Sequence, residues 1–206
     1  MNKRVILITG TPAVGKTTLA KKLANHLNAA YINLTELAEK EQLTQSRDEA
    51  RDTTIIDENK MHTKLTEVID TADKPNIVID GHYAVAITPK DKVTRVFVLR
   101  RNPIELREFM VKCGFKDQKL WENLASEILD ICLVEALQEQ EEEKVCELDA
   151  TEKTIGEVVG EILAILDNRK KCRTSGIDWL GMLEREGKVE EYLRLLQVVL
   201  SEFFRA

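Results

Sequence analysis

The chain of 206 residues carries a formal net charge of −6, and 43% of its residues are hydrophobic and 32% charged. This length and composition predict an ordinary soluble globular protein with one compact domain and room for an appendage. The negative charge disfavours a general nucleic-acid-binding protein, and no apolar stretch approaches the roughly 20 residues that a membrane-spanning helix needs.

The first predicted strand, Val5–Thr9, leads into a phosphate-binding loop of the pattern G-x-x-x-x-G-K-[ST] at Gly10–Thr17. Apolar residues then recur every four positions, as on the buried face of a helix, at Leu19, Leu23 and Leu27. Strand, loop and helix in this order are the context that the motif requires. The alternative, a turn that only needs its glycines, does not call for the Lys16–Thr17 pair. We therefore expect this segment to bind a nucleoside triphosphate.

Each part of this loop has a chemical role. Successive backbone N–H groups surround a phosphate chain, the N-terminus of the following helix adds partial positive charge, and Lys16 reaches the outer phosphates. Thr17 offers a hydroxyl to a magnesium ion that bridges those phosphates.

Further strand-like runs alternate with helical patterns, at Ala30–Leu34, Ile77–Asp80, Arg95–Leu99 and Val145–Leu148. This alternation predicts an α/β protein with the three-layer fold of P-loop NTPases: about five parallel strands flanked by helices, with the nucleotide at the carboxyl ends of the strands. An apolar stripe over Thr154–Asn168 predicts a helix after the last strand.

Two connections are longer than a simple crossover requires. The charged, helix-forming segment Thr35–Asn76 separates the second and third strands, and Asn102–Lys144 separates the fourth and fifth. Long excursions on the catalytic side favour an acceptor-binding element and a lid that closes over the donor and excludes water. A nucleoside monophosphate kinase needs both.

Asp80 and His82 stand at the end of the third strand, beside the predicted phosphate site. Asp80 would orient the magnesium ion or its water, and His82 would orient a water or an acceptor oxygen. The plain alternatives are a turn aspartate and a hydrogen-bonded structural histidine.

Phosphoryl transfer depends mainly on positioning and positive charge. Candidate phosphate clamps follow the fourth strand and continue into the second insertion, at Arg100, Arg101, Arg107, Lys112, Lys116 and Lys119. On the acceptor side, Arg47 and Arg51 offer bidentate donors. A solvated surface explains most such residues equally well, so we expect only a minority of them to touch phosphate.

Several ordered segments carry a family resemblance: Gly10–Thr18, Tyr31-Ile32-Asn33, Glu41-Gln42-Leu43, Ile56-Asp57-Glu58, Asp80-Gly81-His82, Val96–Arg100, and Glu122-Asn123 with Glu127-Ile128. In this order they resemble the adenylate kinase isoenzyme six family, the archaeal and eukaryotic nucleoside monophosphate kinases associated with maturation of the small ribosomal subunit. The resemblance covers about Lys3–Asp167. Many NTPases share the phosphate loop, but D-x-H in this ordered context is more specific.

The resemblance implies broad-specificity transfer of the terminal phosphate of ATP to AMP-like acceptors, with magnesium and a modest ATPase activity. It also implies a role in small-subunit rRNA processing through a platform ribosomal protein. Catalytic roles fall on Lys16, Asp80 and His82, and metal contacts on Thr17 and Asp80. The ATP contacts it implies are Gly10, Ala13, Gly15, Lys16, Thr17, Thr18 and the position of Cys113. The acceptor-binding segment maps to about 33–56 and the lid to about 112–122.

Two positions depart from the family's pattern. Ala13 replaces a common glycine, which a backbone N–H contact tolerates if φ there is negative. The family's lid usually reads Arg-Gly-Tyr, with the arginine on ATP, whereas this chain has Cys113-Gly114-Phe115. Because a thiol cannot make that charged contact, either Lys112, Lys116 or Arg107 substitutes for it, or transfer is weak and hydrolysis dominates.

The chain divides into a kinase-like domain at 1–168 and a C-terminal helical extension at 169–206, which lies outside the resemblance. One helical face of the extension carries Val189, Tyr192, Leu193, Leu196, Leu200 and Phe203. We expect this face to pack on the protein's own core, with self-association or a ribosomal-protein surface as alternatives.

Other functions stay open. One is a ribosome-assembly ATPase that switches affinity for its partner and has negligible kinase activity; another is a small-metabolite kinase on the same fold. A regulatory GTPase is disfavoured because no N-K-x-D motif is present. The cysteines, Cys113, Cys132, Cys146 and Cys172, form no C-x-x-C pair. They predict reduced thiols in a cytoplasmic protein, not a disulfide framework or a zinc site.

Overall fold

The computed structural model describes residues 3–48 and 53–192. In chain order its elements are β1 (Arg4–Gly10), α1 (Lys16–His26), β2 (Ala30–Asn33), α2 (Leu34–Lys40), β3 (Thr44–Asp48), β4 (Thr53–Ile56), α3 (Glu58–Thr71), β5 (Asn76–Asp80), α4 (Ala84–Ile87), β6 (Val93–Arg100), α5 (Pro103–Lys112), α6 (Asp117–Ile128), α7 (Ile131–Glu139), a short 3₁₀ helix (Glu142–Lys144), β7 (Val145–Asp149), α8 (Ile155–Leu166) and α9 (Trp179–Arg185).

The main sheet is parallel and has the strand order β2-β5-β1-β6-β7. Its strands match the five runs expected from the sequence to within two residues at each end. The central strand β1 is a continuous apolar run, because a parallel sheet is covered on both faces. Ile6, Leu7 and Ile8 on this strand are completely buried.

Residues alternate between two separate cores, one on each face of the sheet. Ile6 and Ile8 belong to a core built with apolar side chains of α1, α6 and α8. Val5 and Leu7 belong to the other core, built with side chains of α3, α4 and α7. The molecule therefore has the three layers that the sequence predicted.

The first insertion differs from a purely helical excursion. Between α2 and α3 the strands β3 and β4 pair in an antiparallel hairpin, a separate two-stranded sheet. The β-branched run Thr53–Ile56 has the residue types that favour a strand. Arg51, one of the expected clamps, lies outside the described residues. The second insertion forms α5, α6 and α7.

The extension begins by covering the free edge of the sheet. The backbone N–H of Glu147 on β7 donates to the carbonyl oxygen of Arg173 at 2.7 Å. A disulfide between Cys146 and Cys172 fastens the same segment to β7. The expectation of four reduced thiols was therefore wrong for this pair, since the fold brings together two cysteines that are distant in sequence. Cys113 and Cys132 are free.

After this segment the chain packs on the core that contains α1 and α8. Leu183 of α9 is buried there, and so is Tyr192, which is 3% exposed. Trp179, the first residue of α9, is also buried. Tyr192 thus packs on the protein's own core, as expected, whereas Leu193, Leu196, Leu200 and Phe203 lie outside the described residues. None of the helices in the described ranges is both long and apolar enough to cross a membrane.

Candidate functional site

The phosphate loop leaves the sheet at Gly10, in a backbone conformation that requires glycine. Its φ is 136°, and a Cβ atom there would lie 2.3 Å from the carbonyl oxygen of Leu99 on β6. Gly15 closes the loop with φ 106° and forms the N-cap of α1. Both glycines are therefore fixed by the path of the chain.

Ala13 lies between these glycines with φ 63°. The condition under which alanine would be tolerated here, a negative φ, is not met: the alanine adopts a left-handed conformation that disfavours a residue with a Cβ atom. The cost of such a conformation is about 1–2 kcal/mol. The loop thus holds a strained residue where a glycine would fit without strain.

The N-terminus of α1 is open to an anion. No side chain caps it, and its first turn contains no acidic residue. The first N–H groups of a helix have no intrahelical partner and carry partial positive charge. Thr17 and Thr18 are exposed in this turn, so their side chains are accessible to a bound ligand.

Lys16 lies within the loop. Its ammonium donates to the carbonyl oxygens of Gly10 at 2.8 Å and Thr11 at 2.9 Å. Burial lowers the pKa of Lys16, and the nearby Cys132, Asp80 and Glu127 oppose that shift. The ammonium is therefore held by loop carbonyls in a poorly hydrated place, where an added phosphate oxygen would be a strong partner.

Asp80 ends β5 beside the loop and is almost completely buried. In the sheet it pairs with Ile8 of β1 and Asn33 of β2. Its Oδ2 accepts hydrogen bonds from the amide of Asn33 at 2.9 Å and from the hydroxyl of Tyr31 at 3.1 Å. Burial, with Asp80 as a further cause, raises the pKa of Tyr31, so the hydroxyl stays a donor. These two contacts fix the carboxylate next to Lys16.

His82 follows β5 after one residue, and its carbonyl oxygen accepts a hydrogen bond from the Thr9 hydroxyl at 3.0 Å. Loss of hydration lowers the pKa of His82 to about 4; the Lys16 ammonium adds to this shift and Asp80 opposes it. By its surface area His82 is nevertheless exposed to solvent. A neutral imidazole at the edge of the loop can donate one hydrogen bond and accept another.

Arg100 was expected to hold phosphate, and the structure corrects this expectation. The residue is 1% exposed. Its guanidinium donates to Glu127 at 2.8 Å and to Glu147 at 2.6 Å, and also contacts Asp130. Because these carboxylates use its donors inside the protein, Arg100 is a buried ion-pair partner in this conformation.

The other clamp candidates lie with the insertion and the extension. Arg107 donates to Glu191 at 2.9 Å and stacks over the ring of Trp121, 5.0 Å from its centroid. Lys112 is 71% exposed, 3.9 Å from Glu108. Cys113 is exposed at the end of α5. In the part of the chain that the structure describes, these contacts do not involve the phosphate loop.

Arg101 does contact the loop. Its Nε donates to the carbonyl oxygen of Val14 at 3.4 Å, and its guanidinium also pairs with Glu105. Arg101 is therefore a support of the loop and not an exposed clamp.

The donor set fits a magnesium ion that is held mainly by substrate. Within residues 3–48 and 53–192 there is no group of three or more His, Cys, Asp or Glu side chains that could hold a metal. Mg²⁺ in phosphoryl-transfer sites uses one or two protein groups, phosphate oxygens and water. The exposed Thr17 hydroxyl and the buried Asp80 carboxylate supply such groups.

In the sequence, Tyr31, Asn33 and Glu127 stand only within the segments that carry the resemblance, with Asn33 at the start of the acceptor segment, and no individual role was predicted for any of them. The period of two along β2 places Tyr31 and Asn33 on one face, and pairing with β5 brings that face to Asp80. The contact of these two residues with Asp80 could be inferred from the sequence only once the strand order was known. Glu127 is different: it accepts the Thr11 hydroxyl at 2.6 Å from a helix that is distant in sequence, so no local pattern pointed to it.

Comparison with known proteins agrees with this geometry. Residues 6–130 match the family described as AAA domain. A protein of Methanocaldococcus jannaschii with the provisional name adenylate kinase is 37% identical over 174 residues, 84% of this chain and 92% of its own length. Proteins with the same provisional name are 35% identical in Saccharolobus solfataricus (97% of each chain) and 36% identical in Pyrococcus furiosus (93% of this chain, 98% of that one).

Solved structures support the fold. A shikimate kinase from Bacteroides thetaiotaomicron superimposes with a TM-score of 0.54 at 20% identity, over 80% of this chain and 98% of that one. A gluconokinase from Sinorhizobium meliloti gives 0.52 at 15% identity, over 82% and 94%. At these identities the likeness shows the three-layer P-loop fold alone. On the sequence matches, the chain belongs to the AAA domain family and to the family of nucleotide kinases that these archaeal relatives represent.

Proposed function

We propose that this protein is a nucleoside monophosphate kinase that transfers the terminal phosphate of ATP to an AMP-like acceptor. The observation that carries the proposal is the placement of Lys16 and the uncapped N-terminus of α1 beside Asp80 and His82, at the carboxyl edge of a parallel sheet. The provisional name of the relatives, adenylate kinase, supports the same acceptor class.

On this proposal the loop holds the donor. The N–H groups from Ala13 to Thr18 surround the phosphate chain, and Lys16 exchanges its contacts with the Gly10 and Thr11 carbonyls for phosphate oxygens. Thr17 and Asp80 would hold magnesium. When bound, that ion supplies positive charge that neutralises and orients the phosphate oxygens.

The acceptor side rests on groups near the end of β5. Asn33 and Tyr31 fix the carboxylate of Asp80, which keeps it pointed at the site without a search among rotamers. His82, neutral near pH 7, would orient the attacking oxygen of the acceptor. The proposed acceptor segment is 33–56 and the proposed lid is 112–122.

The test is a stoichiometry. Purified protein is given Mg·ATP with increasing AMP, and ATP, ADP and inorganic phosphate are measured separately. Transfer to AMP forms two molecules of ADP for each ATP consumed, without phosphate release. The variant Lys16→Met is the control for contaminating kinases. Wild-type protein that binds Mg·ATP but forms no nucleoside diphosphate from any nucleoside monophosphate, and releases one phosphate for each ATP consumed, would contradict the proposal.

A second candidate is an ATPase in ribosome assembly with negligible kinase activity. Two observations favour it. Cys113, at the position where the family that the chain resembles has arginine, is an exposed thiol. The guanidinium of Arg101 is held by contacts with Val14 and Glu105. Without a cation at this lid position, water competes better with the acceptor. Phosphate release that is indifferent to AMP, but rises when a purified platform protein of the small ribosomal subunit is added, would favour this candidate.

A further inference from the structure

Glu127 is a carboxylate buried in the last turn of α6, with 1% of its surface exposed. A buried charge is stable only when its oxygens are hydrogen-bonded. Both oxygens of Glu127 are used. Oε2 accepts the hydroxyl of Thr11, and Oε1 accepts from Arg100, from the backbone N–H of Arg101 and from the indole of Trp179.

Two of these donors connect Glu127 to the phosphate loop. Thr11 is the second residue of the loop, and its hydroxyl lies 2.6 Å from Oε2. The backbone N–H of Arg101 lies 3.0 Å from Oε1, and the same residue donates its Nε to the carbonyl oxygen of Val14 at 3.4 Å. Glu127 therefore holds one side of the loop directly and the other through Arg101.

A third donor comes from the C-terminal extension. Trp179 begins α9, is 7% exposed, and places its indole Nε1 3.0 Å from Oε1 of Glu127. The extension is itself fastened upstream by the disulfide between Cys146 and Cys172. One carboxylate thus joins the extension to the loop that would hold the donor phosphates.

Charge balance for Arg100 does not account for this arrangement. Arg100 also contacts the carboxylates of Glu147 and Asp130 and donates to the backbone carbonyl of Glu127. Two carboxylates would remain for one guanidinium if the Glu127 side chain were absent. The Thr11 hydroxyl and the Trp179 indole, in contrast, are uncharged donors, so their contacts with Glu127 do not serve the charge balance of Arg100.

We propose that Glu127 is a positioning residue of the phosphate loop, and that the C-terminal extension sets nucleotide affinity through the hydrogen bond from Trp179. The proposal rests on the proposed function in that the loop binds Mg·ATP. Loss of the indole N–H lets the carboxylate shift, and the geometry of Thr11 and Arg101 loosens with it. Affinity for the donor nucleotide changes while the acceptor site is untouched.

Trp179→Phe is the first test, because it keeps an aromatic ring at this buried position and removes the N–H donor together with part of the ring volume. The dissociation constant for Mg·ATP is measured by calorimetry, and KM for ATP and for AMP by steady-state kinetics. We expect the constant and KM for ATP to rise about fivefold or more, within the usual range of coupling between sites, and KM for AMP to stay within about twofold. Leu180→Ala, an exposed neighbour on α9, is the matched control and should change neither.

The second test uses the other side of the carboxylate. Thr11→Val removes the hydroxyl and should weaken Mg·ATP binding about tenfold, whereas Thr11→Ser keeps a hydroxyl and should retain affinity within about twofold. Because Thr11 and Trp179 act through one carboxylate, the double variant Thr11→Val/Trp179→Phe should bind no more than about twofold worse than Thr11→Val.

Three outcomes overturn the proposal: unchanged affinity in Trp179→Phe, single effects that multiply in the double variant, or equal affinities of Thr11→Val and Thr11→Ser. If Trp179→Phe fails to fold, the pair of Thr11 variants still decides whether Glu127 positions the loop. Wild-type protein that binds no Mg·ATP contradicts the proposed function itself. Wild-type binding with an inert Trp179→Phe variant contradicts only this inference.

Discussion

The phosphate loop and the lid segment 112–122 both carry residues that the sequence assigned to the nucleotide, but the structure builds them differently. The loop takes its shape from its backbone, and two side chains hold it in place. Glu127 accepts a hydrogen bond from the Thr11 hydroxyl, and Arg101 donates one to the carbonyl oxygen of Val14. In the lid segment, Lys112 is 71% exposed and Cys113 ends a helix in solvent. A preformed loop would bind phosphate through main-chain groups, whereas the proposed lid would contribute only through the identity of a few side chains.

The largest expected effect separates two lysines. Lys16→Met removes the ammonium inside the loop, and we expect kcat/KM for ATP to fall about a hundredfold or more, as for the loss of one preorganised charge partner in other active sites. Lys112→Met is the matched substitution in the lid and should reduce kcat/KM less than about threefold, since an exposed charge is well screened. Steady-state kinetics on both folded variants gives the ratio. Equal losses would remove the distinction between loop and lid.

The disulfide is the next largest effect, on stability. Cys146 and Cys172 are 26 residues apart in sequence, and closing a loop of that length stabilises a folded chain by about 3–4 kcal/mol in the chain-entropy account. The double variant Cys146→Ser/Cys172→Ser should lose this amount in denaturant unfolding under oxidising conditions. With reductant present, wild type and variant should unfold nearly together. A difference that persists in reductant would mean that the serines disturb packing.

The same comparison shows what could be predicted from the sequence. The five strands and the loop follow from local patterns: apolar runs, a motif and helical periodicity. Arg100 could not be placed in this way, because the sequence around an arginine after a strand is the same whether the side chain binds phosphate or pairs with three carboxylates of the protein. The partners Glu127, Asp130 and Glu147 come from α6, from the turn after it and from β7, and only the fold brings them together. For the same reason the sequence did not predict the disulfide or the contact of Trp179 with Glu127.

A charge restored to the lid should have a moderate effect. Cys113→Arg places a guanidinium where the resembling family has arginine, and a hydrogen bond to a charged phosphate contributes about 1.5–3 kcal/mol. We therefore expect turnover of ATP to rise about tenfold. Cys113→Met, an uncharged substitution of similar reach, is the control and should leave turnover near that of wild type. Unchanged kinetics in a folded Cys113→Arg protein would show that the lid does not bring this position to the nucleotide.

Replacing His82 should have a smaller effect, on the pH dependence of stability. Its pKa is lowered from 6.5 to about 4 in the folded protein, so between these values the unfolded chain binds a proton that the folded chain does not. Lowering the pH through this range therefore lowers the free energy of unfolding. In His82→Gln the free energy of unfolding should depend less steeply on pH over the same range. Unfolding curves of wild type and variant from pH 7 to pH 4 give the difference. An NMR titration of the free protein that returns a His82 pKa near 6.5 would contradict the prediction.

The smallest effect tests the loop itself. Ala13 has φ 63°, a conformation that costs about 1–2 kcal/mol for a residue with a Cβ atom. Ala13→Gly removes this cost but adds freedom to the unfolded chain, which returns about 0.4–1 kcal/mol. The net gain should be about 1 kcal/mol or less, seen as a rise of a few degrees in Tm.

Binding of Mg·ATP should stay within about twofold in Ala13→Gly, because the N–H groups that surround phosphate belong to the main chain and the supports at Thr11 and Val14 are retained. Ala24→Gly, in the last turn of α1, is the control and should lower Tm, since a helix disfavours glycine relative to alanine by about 0.5–1 kcal/mol. If Ala13→Gly instead lowers Tm and weakens binding together, the alanine restrains the loop in its binding conformation. Preorganisation would then depend on a side chain here as it does in the lid, and the contrast between the two regions would be one of degree.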